Sequence, residues 1–316
     1  MSYFENAKIA LKSFNDIYYR AGSFKGTMFW DRAELIEMVA DACEKLGDEY
    51  KVQLQEVINT SIAISGTDWA KNPYYDDILW MCLAFARASV ILENSDYLTI
   101  AKNNFNYVTE NGIVELGLVD HKKGNGEGNT ISSTTYVVVA SILGKLLNEK
   151  NYQKKAKAML DAIMANLYNN SNGHVFDHVN ADGTKEFFAH DSNFGMFARA
   201  CSEVYEFTND IKYFDAMQLA IEHLITLKYK SGVMCNHNTG DAAGFKAIFV
   251  RQVSYIASKY KIEDYTVWLR INADSVWENR NKYNLMQNDF CSKTADHRLW
   301  SAFDCHSAIV LILSCI

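Results

Sequence analysis

Apolar residues recur at helical spacing along most of this chain, and stretches that alternate strictly between apolar and polar residues are few. Only one proline, Pro73, occurs in 316 residues. The pattern predicts an all-α protein of twelve helices, with boundaries good to within a few residues. The predicted helices cover 3–21, 28–46, 49–65, 73–92, 95–109, 130–148, 150–169, 188–207, 210–228, 241–260, 262–281 and 299–315.

The twelve helices alternate in character, which predicts six helical hairpins. Short polar turns that each carry a tyrosine precede every second helix, at a spacing of roughly fifty residues. The helix that follows such a turn is charged on one face, as in 152–160, whereas its partner is apolar on nearly every side, as in 136–143. Charged helices outside and apolar helices inside are typical of two concentric rings. We therefore expect a single (α/α)6 barrel domain over residues 1–316; an open solenoid is the alternative.

In such a barrel all inner helices run in the same direction, so their N-termini lie at one end. The longest loops, at about 110–129, 170–187 and 282–298, lead to that end, and loops of this length in a compact domain are usually functional. Carboxylates, amides and aromatic rings together are suited to binding a sugar. The candidates at or near these helix starts are Trp30, Asp31, Tyr74, Tyr75, Asp76, Asp77, Phe188, His190, Asp191, Asn193, Asp241 and Lys246.

Asp76 and Asp77 are adjacent at the start of a helix that is apolar on nearly every side and is therefore expected to be buried. Asn72 is expected to cap this helix and Pro73 to be its first residue. A single aspartate in a first turn stabilises a helix through its dipole, but two adjacent carboxylates repel each other. Two close carboxylates beside aromatic rings are also what glycoside hydrolysis requires.

Composition and charge exclude several classes of partner. The chain is 49% hydrophobic and 22% charged, with a net charge of −7 and no stripe of Lys and Arg, so nucleic acid and anionic membranes are poor candidates. No apolar run reaches the roughly 18 residues of a membrane span. The start of the chain lacks a signal-peptide pattern, although a secreted protein without its leader has the same pattern. The seven scattered cysteines predict reduced thiols in the cytoplasm.

No cofactor or metal is expected from the remaining motifs. The glycine-rich run at 124–128 follows no predicted strand, so it is neither a dinucleotide-binding fingerprint nor a P-loop. His174 with His178, and Cys235 with His237, lack the second pair that a zinc site needs. Two cations, Lys246 and Arg251, stand in an apolar helix and need partners. Arg251 is expected to pair structurally with a nearby aspartate, whereas Lys246 is a candidate substrate-binding residue.

Three stretches give the chain a resemblance to glycoside hydrolase family 76, the endo-α-1,6-mannanases and their fungal wall-remodelling relatives. Tyr75-Asp76-Asp77 followed by Trp80 resembles the catalytic motif of that family. Gly240-Asp241 with residues 245–251 is similar to its Gly-Asp and Phe-Lys-Gly-Ile-Phe-Val-Arg elements. Residues 272–277 and 288–290 are similar to its C-terminal Asn-Ala-Asp-Ser-Trp and Asn-Asp-Trp elements.

The resemblance implies an (α/α)6 fold and hydrolysis of α-1,6-linked mannan or mannooligosaccharides with retention of configuration. Asp76 would be the nucleophile and Asp77 the general acid/base. Adjacent residues in one helical turn can hold two carboxyl groups about 5–5.5 Å apart, which is the retaining distance. Trp30, Tyr74, Tyr75 and Phe188 would stack on sugar faces.

The chain departs from the family pattern in two segments. Residues 111–121 replace a Cys-Gly-Gly-Gly-x-x-Trp-Trp segment, and residues 192–195 replace Tyr-Asn-Gln-Gly. We therefore also expect that the substrate differs from plain α-1,6-mannan, and a cytoplasmic location indicates short oligosaccharides. The alternatives are another (α/α)6 carbohydrate enzyme, such as an unsaturated-uronide hydrolase or a sugar epimerase that uses His190 and Asp191, and a non-enzymatic helical-repeat scaffold.

Overall fold

The computed structural model describes residues 2–229, 231–296 and 300–316. Within these residues the chain forms twelve α-helices, as the hydrophobic pattern predicts. They are α1 Tyr3–Tyr18, α2 Phe29–Leu46, α3 Lys51–Ser65, α4 Tyr75–Ile91, α5 Ser95–Asn111, α6 Thr130–Leu146, α7 Lys150–Asn166, α8 Asp191–Thr208, α9 Ile211–His223, α10 Phe245–Tyr260, α11 Glu263–Glu278 and α12 Ala302–Leu313.

Three two-stranded antiparallel pairs lie in the loops, where no strands were expected. They are β1 Tyr19–Arg20 with β2 Ser23–Phe24, β3 Gly128–Asn129 with β6 His178–Val179, and β4 Tyr168–Asn169 with β5 His174–Val175. The β3–β6 pair joins the loop before α6 to the loop before α8. These two loops therefore position each other through main-chain bonds.

Several helix ends differ from the predicted boundaries because loop segments pair with each other. Helix α1 ends at Tyr18, since residues 19–24 form the β1–β2 hairpin. Helix α8 begins at Asp191 rather than at 188. Ser301 caps α12 and accepts a hydrogen bond from the Asp304 N–H; the predicted start of this helix, Leu299, lies outside the described residues.

The chain divides into two compact units, residues 65–224 and residues 1–64 with 225–316. In the first unit α4, α6 and α8 pack side by side, and each packs against the next helix along the chain, α5, α7 or α9. The first three helices are buried on most sides and the other three on one side, as expected for inner and outer helices. In the second unit α12 packs against α1, α2, α10 and α11. The single domain over residues 1–316 stays a prediction.

Helix α6 forms despite a run of Ser, Thr and Val residues that disfavours helices. Thr134, Thr135 and Ser141 donate hydroxyl hydrogen bonds to carbonyls four residues earlier, at 2.7, 2.7 and 2.9 Å. Such bonds satisfy hydroxyl groups that would otherwise be buried without partners. A helix rich in small polar side chains can therefore be buried.

Arg251 has the structural role that the sequence predicts. Its guanidinium donates to Glu34 and to Asp41, each at 2.8 Å, and all three side chains are buried. Burial raises the pKa of Glu34, and the charge of Arg251 opposes that rise. A buried cation is tolerated here because two carboxylates surround it.

Two cysteines do not follow the prediction of reduced thiols. Cys235 and Cys291 form a disulfide, with their Cα atoms 5.0 Å apart and a sequence separation of 56 residues. The bond joins the loop before α10 to the loop after α11. The prediction is wrong for this pair because loop folding, which leaves no spacing signal, brings them together.

Candidate active site

The start of α4 is set by main-chain pairing with the following loop. The Tyr75 N–H donates to the His121 carbonyl, and the Lys123 N–H donates to the Pro73 carbonyl, both at 2.9 Å. Tyr74 is in extended backbone and is the N-cap of α4, so the helix begins at Tyr75, two residues later than predicted, and Asn72 is not its cap. Asn72 still closes the turn, because its Oδ1 accepts from the Tyr74 N–H at 2.9 Å.

Asp76 and Asp77 are the second and third residues of α4, and they have different neighbours. Oδ1 of Asp76 lies 3.5 Å from Nδ1 of His121, and the Asp76 side chain is 13% exposed. Oδ2 of Asp77 accepts from Nδ2 of Asn72 at 2.9 Å. A loop residue therefore lies against each carboxylate: Asn72, before the pair, binds Asp77, and His121, after it, lies beside Asp76.

The two tyrosines before the pair have different roles. Tyr75 is buried and its hydroxyl donates to the Asn111 carbonyl at 2.7 Å; burial raises the pKa of this hydroxyl. Tyr74 is half-buried, with its ring centroid 5.3 Å from that of His121 and the ammonium of Lys122 5.6 Å from its centre. Tyr75 therefore holds the end of α5, where the following loop begins, and Tyr74 is the tyrosine whose ring keeps exposed surface.

The loop after α5 is held against the start of α6. The Val119 N–H donates to Oγ of Ser133 at 2.9 Å, and the Gly126 N–H donates to Oδ2 of Asp120 at 3.0 Å. Gly128 permits close packing, because a Cβ at this position would lie 2.5 Å from a methyl group of Leu118. These contacts hold the loop, and with it His121, in one conformation.

The start of α8 contains a second group of polar side chains. Nδ2 of Asn193 donates to Oδ1 of Asp177 at 3.0 Å, and the other oxygen of Asp177 lies 3.0 Å from Nδ1 of His178. Asp191 and Asn193 are buried. Phe188 is 60% exposed, and its ring is perpendicular to that of His190 at 5.0 Å. Of the predicted residues in this region, Phe188 has the most accessible ring.

The predicted site residues of the other unit form their own cluster. Trp30 packs edge-on against Phe303, with ring centroids 4.8 Å apart, and is buried rather than open to a sugar. Oδ2 of Asp31 accepts from the Met28 N–H at 3.2 Å. Burial raises the pKa of Asp31, and the charge of nearby Asp241 adds to the rise. Asp241 is exposed, on a 3₁₀ turn at Gly240–Gly244.

Lys246 occupies a different position from the one that a sugar-binding role requires. Its side chain is fully buried, and its ammonium donates to the carbonyls of Met234, Asn236 and Asn288 at 2.9, 2.6 and 2.5 Å. An ammonium has three N–H groups, which match these three acceptors. Lys246 therefore anchors the loops on either side of Asp241, and we correct its assignment from sugar contact to loop anchor.

The described residues contain no helix long and apolar enough to cross a membrane. Within the same ranges, no three His, Cys, Asp or Glu side chains are grouped so that they could hold a metal ion.

The sequence profile of glycosyl hydrolase family 76 matches residues 2–307, almost the whole chain. The chain belongs to this family. Family 76 membership makes it a glycoside hydrolase, and it decides against both the other (α/α)6 enzyme classes and the non-enzymatic scaffold. A comparison with curated protein sequences finds no match.

Solved structures similar to this family 76 chain show its fold. The α-1,6-mannanase of Salegentibacter sp. HEL1_6 is 19% identical, with 99% of each chain covered and a TM-score of 0.91. A Listeria innocua protein is 20% identical over 100% of this chain and 97% of its own, with a TM-score of 0.92. This confirms the predicted all-α, (α/α)6 fold class.

A third structure is a complex of the Salegentibacter enzyme with α-1,6-mannotriose, again 19% identical, with 99% of each chain covered and a TM-score of 0.91. That protein is described as an inactive variant, and two consecutive aspartates are replaced by asparagine in it.

Three residues that contact predicted site residues or their partners in this family 76 chain were not predicted from the sequence as part of the site. His121, Asp177 and His178 all lie in loops, where hydrophobic periodicity gives no signal. The only hint for His121 was that its segment, 111–121, departs from the family pattern.

Proposed function

We propose that this chain hydrolyses α-1,6-linked mannooligosaccharides with retention of configuration, with Asp76 as the nucleophile and Asp77 as the general acid/base. The observation that carries the proposal is the adjacent carboxylate pair at the start of α4, in a chain of family 76. The inactive Salegentibacter variant, altered at two consecutive aspartates and bound to α-1,6-mannotriose, supports both the residues and the substrate class.

The different neighbours of the two carboxylates suit these different roles. In a retaining mechanism one carboxylate attacks the anomeric carbon while the other protonates the leaving oxygen. Asp76 lies near the N-terminus of α4, where the helix dipole favours an ionised group. Asn72 donates to Oδ2 of Asp77 and so orients this carboxyl group. Asp77 would carry the proton to the leaving group, and later accept one from water.

Only aromatic rings with exposed surface can stack on a sugar. Tyr74 beside Asp76, and Phe188 before α8, have this property, whereas Tyr75 and Trp30 are buried. We propose Tyr74 and Phe188 as the stacking residues. His190, Asp191, Asn193, Asp31 and Asp241 stay predicted substrate-binding residues.

The test uses α-1,6-mannotetraose with the wild-type chain and with Asp76→Asn and Asp77→Asn. The wild type is expected to release shorter mannooligosaccharides whose first-formed anomer, followed by NMR, is α. Each variant is expected to lose at least about 1,000-fold in kcat. Equal rates in the wild type and both variants would show that the pair is not catalytic.

Azide distinguishes the roles of the two carboxylates. With an activated mannosyl fluoride, Asp77→Ala is expected to give the α-azide, because azide attacks the glycosyl-enzyme. Asp76→Ala is expected to give the β-azide by direct displacement. The opposite pattern would exchange the two assignments and leave the reaction class unchanged.

A further inference from the structure

His121 lies against Asp76, and neither the sequence pattern nor the family motif gives it a role. Its carbonyl accepts from the first N–H of α4, its Nδ1 is 3.5 Å from Oδ1 of Asp76, and its ring lies beside that of Tyr74. We propose that His121 is a positioning residue, whose Nδ1–H holds Oδ1 of Asp76 and keeps this carboxylate ionised. The inference rests on the proposed function, because it takes Asp76 as the nucleophile.

The contact is enclosed on one side and open on the other. Nδ1 of His121 and Oδ1 of Asp76 are both buried atoms, whereas the His121 side chain as a whole is 35% exposed. A polar contact is electrostatically stronger where water is excluded. The separation of 3.5 Å is longer than a normal hydrogen bond, but bonds between catalytic groups often shorten only when substrate is bound.

The neighbouring charged groups are engaged elsewhere. The ammonium of Lys123 donates to the Ala70 carbonyl, and that of Lys122 lies over the ring of Tyr74. Asp120 accepts from the Gly126 N–H. His121 is therefore the member of segment 120–123 that is placed to act on Asp76.

The chemistry of the first step assigns a different task to each oxygen of Asp76. If Nδ1–H holds Oδ1, Oδ2 forms the bond to the anomeric carbon. The bond from that carbon to the leaving oxygen breaks with its electron pair, and the leaving oxygen takes the proton from Asp77. An N–H donor stabilises the ionised carboxylate before attack, whether the imidazole is neutral with its proton on Nδ1 or fully protonated.

His121 can be fixed in this position because its backbone is part of the start of α4. The bonds from the Tyr75 and Lys123 N–H groups join residues 73–75 to residues 121–123. A replacement side chain at this position should leave the two main-chain bonds in place. Substitutions therefore test the imidazole and not the loop.

The kinetic test compares His121→Gln with His121→Phe, using α-1,6-mannotetraose between pH 4 and 8. Phenylalanine keeps a ring against Tyr74, and glutamine keeps an N–H donor without a proton that titrates. His121→Phe is expected to lose about 10- to 100-fold in kcat with little change in KM. The acidic limb of its plot of kcat against pH should move to higher pH, because the ionised Asp76 carboxylate has lost its N–H donor. His121→Gln should lie between His121→Phe and wild type.

Two kinetic outcomes would overturn the inference. One is a His121→Phe variant with the kcat and pH profile of the wild type. The other is a loss of kcat together with lower thermal stability and an unmoved acidic limb, which would indicate a structural role.

A second measurement does not require activity. The ¹⁵N shifts of the His121 ring report which nitrogen carries the proton in the full-length chain. We expect a proton on Nδ1 in the wild type and in Asp77→Ala, and its loss in Asp76→Ala, which removes the acceptor. An Nδ1 that is unprotonated in the wild type, or equally protonated in all three proteins, would overturn the inference even if hydrolysis is confirmed. If the Nδ1–H tautomer is found but mannotetraose is not cleaved, the contact stands and the proposed function fails.

Discussion

Asn72 links helix formation to chemistry through a single side chain. Its Oδ1 accepts from the Tyr74 N–H and its Nδ2 donates to Asp77, both at 2.9 Å. The prediction that Asn72 caps the helix is wrong, because Tyr74 is the N-cap of α4 and Asn72 closes the turn before it. The sequence does not show the second bond, because that bond depends on where the extended residue Tyr74 places the first turn of α4.

Replacing Asn72 by alanine should affect both stability and rate. The variant loses a turn bond, which costs about 1 kcal/mol, and it loses the contact that orients Asp77. Asn94→Ala is the matched control, since Oδ1 of Asn94 accepts from the Asp96 N–H at 2.9 Å in the same geometry at the start of α5. Both variants should lose similar thermal stability, but only Asn72→Ala should lose about tenfold in kcat. If Asn72→Ala and Asn94→Ala have the same kcat, Asn72 does not contribute to catalysis.

At the scale of elements, two histidines fasten the loop before α8 to the end of α9. Nε2 of His174 lies 2.9 Å from the Phe187 carbonyl, and Nδ1 of His223 lies 2.7 Å from the Asn172 carbonyl. Nδ1 of His174 and Nε2 of His223 are 3.3 Å apart. Carbonyls accept, so the three bonds need three N–H groups, one more than two neutral imidazoles have.

This pair should make the loop at 170–188 sensitive to acid. Burial lowers the pKa of His174, and the charge of His223 adds to this effect. A histidine with a lowered folded-state pKa contributes stability above its unfolded value, about 6.5, and loses it as the pH falls. When both imidazoles are protonated, the N–H at Nδ1 of His174 faces the N–H at Nε2 of His223 and the bond between the rings is lost. The hydrogen-exchange protection factors of residues 170–188, which correct for the slower intrinsic exchange at low pH, should therefore fall between pH 7 and pH 5.

His174→Gln should abolish the loss of protection in this loop at low pH. The glutamine amide can donate and accept hydrogen bonds but does not titrate in this range. His178→Gln removes a histidine from the same loop without touching the pair, and should keep the response. If His174→Gln and wild type respond alike to pH, another group controls the loop.

For the molecule as a whole, the hydrophobic pattern was enough to predict the helices, because the twelve helices of the described residues, each 12 to 18 residues long, carry apolar residues at helical spacing. Helix starts also have capping signals, so most candidate site residues could be named. Features that depend on loop folding were not predictable. His121 reaches Asp76, Lys246 binds three carbonyls and Cys235 meets Cys291 only through irregular backbone. The predicted cytoplasmic location stays a prediction.

The buried charge network should set the acid stability of the unit that contains it. His306 is fully buried, and its pKa is lowered to about 3 by burial and by the charge of Arg251. Its neutral form contributes stability above pH 6.5 that is lost as the pH falls towards 3. Relative to His306→Gln, the free energy of unfolding of the wild type should therefore fall by up to about 1.4 kcal/mol per pH unit in this range. Urea unfolding at pH values from 7 to 4 measures this difference. If the free energies of unfolding of the two proteins fall in parallel with pH, the prediction is wrong.

The pairing of residues 73–75 with 121–123 has a consequence for protein engineering. The carboxylates are positioned by the base of the loop, and its tip is open: a Cβ at Gly124 or Gly126 would meet no atom within 4 Å. Segments of new length could therefore be inserted between Gly124 and Gly126 without displacing the pair, if both glycines, whose φ angles of +85° and +74° disfavour other residues, and the Gly126–Asp120 bond are kept. Libraries made at this tip would select new glycan preferences on an unchanged hydrolytic centre.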